Sequence, residues 1–230
     1  MSAAPFTLAG EALQADPSGA LYWPGRRLLA FADLHFEKGS SLASRGVALL
    51  PPYDTRATLE RMASLLRRYQ PLTVVALGDS FHDIDAGARL LPGDRARLSR
   101  LVAQTEWVWV EGNHDPSLPP GLGGRSAPEL RLDPLVFRHE AEIGDARGEI
   151  SGHFHPKATV KLRVGRVSAR CFLTDGHRLL LPAFGAYAGG LDASDPAIER
   201  LFPKGFRALA IGKERIYALT RQQLAHVPAN

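Results

Sequence analysis

The sequence predicts a mixed α/β fold, with parallel strands in the first half of the chain and hairpins in the second. Three apolar runs, at 26–35, 72–79 and 106–115, alternate with segments of helical period. Such alternation is typical of βαβ units and of a parallel sheet covered on both faces. Later, short strand-like runs are separated by turn residues. We therefore expect one domain over 1–230, with a hairpin-rich part at 148–219.

The first half alternates strands with helices. "RRLLAFADLH" is a continuous apolar run that predicts a buried strand, and Asp54 is a candidate N-cap for a helix that reaches Tyr69. "LTVVALGD" and "EWVWVEGNHD" predict two further strands, with a helix over 95–104 between them. The longest irregular piece, 115–128, follows the last of these strands directly, which favours a position beside a functional site.

The second half is built of strand-like runs joined by turns. These are "GEISGHFHP", "ATVKLRVGRVSARCFLTDG", "HRLLLPAF" and "FRALAIGKERIYAL". Gly165-Arg166 and Asp175-Gly176 are hairpin signals between them. We expect little helix in this part of the chain.

Composition favours a globular protein of a reducing compartment. Hydrophobic residues make up 45% of the chain and charged residues 23%, both ordinary values. The single cysteine, Cys171, excludes an intramolecular disulfide and is expected in the core. The N-terminal residues lack the basic and apolar regions of a signal peptide, and no apolar run approaches the roughly 20 residues of a membrane span. We expect a cytoplasmic protein that does not contact membranes.

The chain is basic, with a net charge of +4 and a sequence pI of about 9.5. This balance permits an anionic substrate such as nucleic acid. It does not single one out, because the arginines are scattered along the chain and many can lie on solvated helix faces.

Four predicted strands end in side chains that bind metals. They are Asp33 and His35 in "DLH", Asp79 in "GD", Asn113 and His114 in "GNHD", and His153 and His155 in "GHFH", with His139 of "FRHE" between the last two. One such strand end is more often a surface turn than a ligand. Four in succession favour a site, because ligands of open α/β sheets lie at the carboxyl ends of strands. Within a strand, side chains two residues apart share a face, so we expect Asp33 and His35 to point the same way.

This pattern resembles the calcineurin-like metallophosphoesterase superfamily. The order D-x-H, G-D, G-N-H-D/E, H, G-H-x-H matches over 28–156. The resemblance implies a four-layer α/β/β/α sandwich, in which two mixed sheets are flanked by helices, and a two-metal site. One metal would be held by Asp33, His35, Asp79 and His155, and the other by Asp79, Asn113, His139 and His153, with Asp79 bridging. "FRHE" lacks the glycine often found before the histidine of the fourth motif, which is His139 here.

The donor types narrow the choice of metal. Mixed carboxylate, imidazole and amide ligands suit Mn²⁺, with Fe or Zn²⁺ as alternatives, better than Mg²⁺. The resemblance implies a hydroxide bridging the two metals as the nucleophile. It makes His114 the proton donor to the leaving oxygen, and a positively charged phosphate clamp is the alternative. In related phosphatases a carboxylate orients this histidine; the corresponding residue here is His82, so Asp83 and Asp115 are further candidates.

A narrower resemblance extends over roughly 31–192. "ADLHFEKGSSLASRG", "LPPYDT", "LGDSFHD", "GEISGHFHPKA" and "LPAFGAYAGGLD" together are similar to the bacterial ligase-associated DNA damage response endonucleases. This resemblance implies a phosphodiesterase or nuclease acting on DNA in repair, with a DNA ligase and a helicase as partners. Lys38 and Arg45 are candidate phosphate contacts, and Tyr187 is a candidate stacking platform for a base. A solvated loop and ordinary packing are the alternatives for these three.

Two other functions fit the same motifs. One is a small-molecule phosphodiesterase or phosphomonoesterase. The other is a scaffold of this fold without catalysis, which the presence of every ligand and of His114 disfavours.

Overall fold

A computed structural model describes residues 2–47, 50–51, 53–163 and 165–225. Its first sheet has seven strands in chain order: β1 (Ala4–Leu8), β2 (Glu11–Ala15), β3 (Leu21–Trp23), β4 (Leu28–Ala32), β5 (Thr73–Leu77), β6 (Glu106–Val110) and β7 (Arg125–Ala127). Strands β1 to β4 form an antiparallel meander, whereas β4 to β7 are parallel. The carboxyl ends of the parallel strands therefore share one edge.

The second sheet is formed by the remaining strands: β8 (Glu129–Leu132), β9 (Leu135–Arg138), β10 (Glu149–Ser151), β11 (Lys157–Leu162), β12 (Gly165–Thr174), β13 (Arg178–Leu180), β14 (Arg207–Ile211) and β15 (Ile216–Thr220). Its order is β15-β14-β12-β13-β10-β9-β8, and β11 pairs with β12 off this path. Strands β9, β10 and β13 are parallel neighbours, and the other pairs are antiparallel.

Among the described residues, five α-helices accompany the sheets: α1 (Lys38–Ser44), α2 (Asp54–Tyr69), α3 (Ala86–Arg89), α4 (Pro92–Val102) and α5 (Pro196–Glu199). Leu59 and Met62 of α2 and Leu98 of α4 pack on the outer face of the first sheet, where they meet Val74 and Trp107. The strands in the centre of this sheet are apolar on both faces because each face is covered. No helix in the described ranges has the length and apolarity to cross a bilayer.

The two sheets pack face to face. Leu28 and Val75 of the first sheet share one buried cluster with Phe137 and Phe172 of the second. The outer face of the second sheet buries Cys171, whose exposure is 0%, under the segment that contains α5. The mixed α/β fold of two sheets flanked by helices is thus confirmed, with only a one-turn α5 on the second outer face.

Several local expectations need correction. Asp54 is the first residue of α2 and caps nothing there; its Oδ2 instead accepts the Gly39 N–H of α1, at 2.9 Å. Strand β7 forms inside the segment expected to be a loop, because pairing with β6 satisfies its backbone. Gly165 pairs with Leu162, so Gly165-Arg166 follows the hairpin turn and does not make it. Strands β1 to β3, β8 and β9 were not expected.

Candidate metal centre

The carboxyl ends of strands from both sheets converge on one place. Strands β4, β5 and β6 lie side by side and parallel, and β9 and β10 of the second sheet end opposite them. The loops that leave these strands carry the metal-binding side chains: Asp33 and His35 after β4, Asp79 after β5, Asn113 and His114 after β6, His139 after β9, and His153 and His155 after β10. Residues far apart in sequence are therefore neighbours because the strands are parallel.

A first cluster joins Asp33, His35 and His155, whose ligand atoms all lie within 4.8 Å of one another. The Nε2 atoms of His35 and His155 are 3.3 Å apart. The His155 Nε2 is also 3.3 Å from Oδ1 of Asp33. These are three of the four ligands expected for the first metal.

A second cluster joins Asp79, His139 and His153, whose ligand atoms also lie within 4.8 Å of one another. The amide oxygen of Asn113 lies 2.8 Å from His139 Nε2 and 3.1 Å from His153 Nδ1. Oδ1 of Asp79 is 3.4 Å from His139 Nε2. All four residues expected for the second metal therefore meet. The clusters adjoin, since His139 Nδ1 lies 3.8 Å from Asp33 Oδ1.

These separations fit ligands that share an ion. Metal–nitrogen and metal–oxygen bonds are about 2.1 Å long, so two donors at right angles are roughly 3 Å apart. The buried Nδ1 of His35 has no hydrogen-bond partner among the described residues. The Nδ1 of His139 donates to the Leu77 carbonyl at 3.2 Å, which leaves its Nε2 lone pair facing the second cluster. The residues present thus fit two divalent cations.

Burial keeps the imidazoles in the form that binds metals. The pKa of His35 is lowered to about 2, chiefly by burial and then by repulsion from His155 and Lys38. The pKa of His153 is lowered by burial and by the neighbouring His139. Neutral imidazole offers a lone pair, whereas the protonated ring does not.

Several of these metal-binding residues have a left-handed backbone conformation, which sets the direction of their side chains. Positive φ angles occur at Asp33 (53°), His35 (43°), Asp79 (43°), His153 (67°) and His155 (47°). Non-glycine residues adopt this region at a cost of about 1–3 kcal/mol each, and such residues cluster at functional sites. The side chains of Asp33 and His35 therefore point to the same cluster because both residues have left-handed backbone in a loop. The expectation that they share one face of a strand is wrong.

The motif glycines allow these loops to touch. A Cβ at Gly78 would lie 2.3 Å from His139 Nδ1. One at Gly112 would lie 2.1 Å from the backbone nitrogen of Asp79, and one at Gly152 would lie 2.5 Å from Asp33 Oδ2. Each glycine thus makes room for a ligand from a different strand.

His114 lies at the rim of the centre, with its side chain 42% exposed. Its Nδ1 is 3.0 Å from the main-chain carbonyl oxygen of His82, and a carbonyl only accepts, so Nδ1 carries a proton. Its Nε2 lies 3.8 Å from Oδ2 of Asp79. The rings of His82 and His114 stack, with centroids 5.4 Å apart and planes inclined by 15°.

The two carboxylates considered for orienting His114 are engaged elsewhere. Asp83 accepts from Arg89 at 2.7 and 2.8 Å and from the Ser41 hydroxyl at 2.6 Å. Asp115 Oδ2 accepts the Phe81 N–H at 3.0 Å, and burial raises the pKa of this carboxyl to about 7. The group that accepts a hydrogen bond from the His114 ring is therefore the His82 backbone carbonyl.

The candidate substrate contacts have different surroundings. Lys38 is half-buried and close enough to depress the pKa of both His35 and His82. Arg45 is exposed and lies 3.4 Å from Asp83. The Tyr187 hydroxyl donates to the Pro51 carbonyl at 3.0 Å, and the residue is 40% exposed. Lys38 therefore lies near both histidines, and Arg45 lies near His82, whose pKa its charge also helps to lower.

Some residues that support the loops of the metal centre were not predicted from the sequence. Buried Glu37 accepts from the Thr55 hydroxyl at 2.8 Å and, through Oε2, from Ser40 at 2.7 Å. The loop after β13 binds the first motif, since Gly185 donates to the Asp33 carbonyl at 3.1 Å. A Cβ at Gly190 would lie 2.0 Å from the His155 carbonyl oxygen. The glycines at 185, 189 and 190 were a sequence signal for this loop, whereas Glu37 had none.

The architecture recurs in known proteins. The model of the family described as calcineurin-like phosphoesterase matches residues 26–180. A solved structure, the Pseudomonas putida nuclease MPE, is 30% identical, with 95% of this chain and 100% of that chain covered and a TM-score of 0.71. Yfce, a phosphoesterase from E. coli, is 14% identical, with 84% and 98% covered and a TM-score of 0.42. None of the curated proteins matches the chain significantly.

The family match covers more than half of the chain, and the nuclease match extends over nearly all of it. The family is one of metal-dependent phosphoesterases, which agrees with the two adjoining clusters of metal-binding residues. The nuclease is also consistent with the narrower resemblance to ligase-associated endonucleases. The chain belongs to the calcineurin-like phosphoesterase family.

Proposed function

We propose that the protein hydrolyses phosphodiester bonds of DNA with two bound divalent cations. Mn²⁺ is the cation that we expect, and Fe or Zn²⁺ is the alternative. The observation that carries this proposal is the pair of adjoining clusters, with His114 exposed beside Asp79. The likeness to the Pseudomonas nuclease supports nucleic acid as the substrate, as does the basic chain. A role in DNA repair, with a DNA ligase and a helicase as partners, rests on the family resemblance. A cytoplasmic location is supported by the single cysteine, which fits a reducing compartment.

The proposed roles follow the geometry. Asp33, His35 and His155 would hold one cation, and Asn113, His139 and His153 would hold the other. Asp79 would be shared between them, as the family resemblance implies. The cations would neutralise phosphate oxygens and acidify a water molecule. Lys38 adds positive charge at the same rim.

His114 would move the proton that hydrolysis requires. Its Nδ1–H is held by the His82 carbonyl, so Nε2 is the atom that gains and loses a proton. This Nε2 lies 3.8 Å from Oδ2 of Asp79, so it faces the place where the reacting phosphate would bind. A protonated Nε2 would donate to the leaving oxygen, which avoids the release of an alkoxide.

A matched assay tests the proposal. Chelator-stripped protein, with Mn²⁺ restored, is given bis-p-nitrophenyl phosphate and single- and double-stranded DNA. Asp79→Asn should abolish hydrolysis of all three. Asp145→Asn, an exposed aspartate before β10 and far from its carboxyl end, should change none of them.

The alternative functions predict other outcomes. Hydrolysis of the diester without cleavage of DNA would replace the nuclease with a small-molecule phosphodiesterase. With p-nitrophenyl phosphate added as a fourth substrate, a preference for this monoester over the diester would indicate a phosphomonoesterase. Two bound metals without any hydrolysis would make the protein a scaffold.

A further inference from the structure

The β11–β12 ribbon begins at the metal centre and extends away from it. Strand β11 starts at Lys157, two residues after the ligand His155. Residues 165–170 of β12 pair with β11 and, within the described part of the chain, with no other strand. At about 3.3 Å per residue, the six residues of β11 reach roughly 20 Å.

The ribbon has one polar and one apolar face. Directly paired residues point to the same side, and the sides alternate along each strand. Lys157 faces Arg170, Thr159 faces Ser168 and Lys161 faces Arg166 on one side. Ala158, Val160 and Val167 lie on the other.

The outer end of the polar face carries unneutralised positive charge. Lys161 and Arg166 are exposed and directly opposite each other. Neither makes a hydrogen bond or an ion pair with any residue that the structure describes. The segment 156–174 contains five basic residues and no carboxylate. Like charges directly opposite destabilise a strand pair, so folding does not explain this arrangement.

The charge continues to the metal centre. Lys157, at the base of the ribbon, follows His155 by two residues, and the His155 Nε2 lies 3.3 Å from the His35 Nε2. The Lys38 N–H in turn donates to the His35 carbonyl at 3.3 Å. Arg170 does not belong to this track, because it donates to the carbonyls of Ala183 and Ser18. Lys38, Lys157, Lys161 and Arg166 therefore form a line of positive side chains, which we name the basic track.

We propose that the basic track binds the phosphate backbone of the nucleic-acid strand whose scissile bond lies at the metal centre. The proposal rests on the proposed nuclease function and adds to it the surface that separates polymeric from small substrates. A diester as small as bis-p-nitrophenyl phosphate reaches the centre without touching Lys161 or Arg166, since these lie four or more residues along the ribbon.

The test removes the two outer charges as Lys161→Thr/Arg166→Thr. Threonine keeps strand propensity, and the change relieves like-charge repulsion, so thermal stability should be equal or higher. Anisotropy of labelled single-stranded DNA is followed on metal-free protein at several salt concentrations. The control, Arg67→Ser/Arg100→Ser, removes the same charge from exposed sites at the C-terminal ends of α2 and α4, away from the centre.

The expected result is a DNA affinity about 10- to 30-fold weaker at 0.1 M salt for the threonine variant alone. Its plot of log affinity against log salt should be shallower by roughly 1.4, since each lost phosphate contact on single-stranded DNA contributes about 0.7. Hydrolysis of bis-p-nitrophenyl phosphate by the Mn²⁺-loaded variant should equal that of wild type.

Two outcomes would overturn the proposal in distinguishable ways. If the threonine variant binds DNA with the wild-type affinity and salt slope, the basic track does not bind the DNA backbone. Cleavage of DNA by the wild-type protein would then still support the nuclease function. If the wild-type protein hydrolyses the small diester but neither binds nor cleaves DNA, both the basic track and the nuclease function are wrong.

Discussion

The Nδ1 atom of His114 lies 3.0 Å from the main-chain carbonyl oxygen of His82. The backbone of His82, and not a carboxylate side chain, therefore holds the ring. A carbonyl fixes the tautomer as a carboxylate does, but it adds no full negative charge to stabilise the protonated ring. The ring of His82 stacks on His114 and limits its rotation.

His82→Ala should therefore have a small effect. The carbonyl that accepts from His114 survives the change, and only the ring stack is lost, which is worth about 0.5–1.5 kcal/mol. We expect kcat for DNA cleavage, which needs the proton from His114, to fall by roughly 2- to 10-fold. A fall of several hundredfold would show that the side chain of His82, and not its backbone, positions His114.

His114→Ala should distinguish proton donation from phosphate clamping. A general acid contributes about 100- to 10,000-fold when the leaving group is an alkoxide. The p-nitrophenolate ion leaves without a proton, so the diester assay should lose much less than DNA cleavage. His177→Ala, at an exposed histidine between β12 and β13, serves as the control. Equal losses on both substrates would support the clamp.

Gly152→Ala should damage the first cluster. Its Cβ would lie 2.5 Å from Asp33 Oδ2 and 2.9 Å from the Ala32 Cβ, so the ligand must move. Overpacking of this kind costs about 1–3 kcal/mol of unfolding free energy. Metal analysis should show fewer ions per chain, and thermal unfolding a lower Tm.

Gly189→Ala is the matched control for this change. It lies in a neighbouring loop, its Cβ would meet nothing within 4 Å, and its φ is outside the left-handed region. Metal content and Tm should stay at the wild-type values. Loss of metal in both variants would mean that the close approach at Gly152 does not position Asp33.

His35→Ala should remove one of the two cations. His35 belongs to the cluster of Asp33 and His155 and is absent from the cluster around His139. Dialysed protein should therefore retain about one Mn²⁺ per chain where wild type retains two. Saturating metal should also raise the Tm of wild type by more than that of the variant, because each ion bound only by the folded state stabilises it. Two ions in the variant would contradict the assignment of the clusters.

The sequence predicted some elements well and others not at all. The helix over α2 was expected from Leu59, Met62 and Leu65, because one face is apolar at helical spacing. The apolar runs of β4, β5 and β6 were equally clear. The short strands β7, β8 and β9 were missed, since three or four residues carry no detectable period and form strands only because a neighbour pairs with them.

By itself, the sequence determined which side chains are able to bind metals and in what order they follow the strands. It did so because ligand chemistry belongs to residue types, and because apolar runs mark strand ends. Only the tertiary structure decided that Asp33, His35 and His155 meet, and that the His82 backbone holds His114. Those contacts depend on strand pairing across two sheets and on left-handed loop residues, which no local pattern encodes.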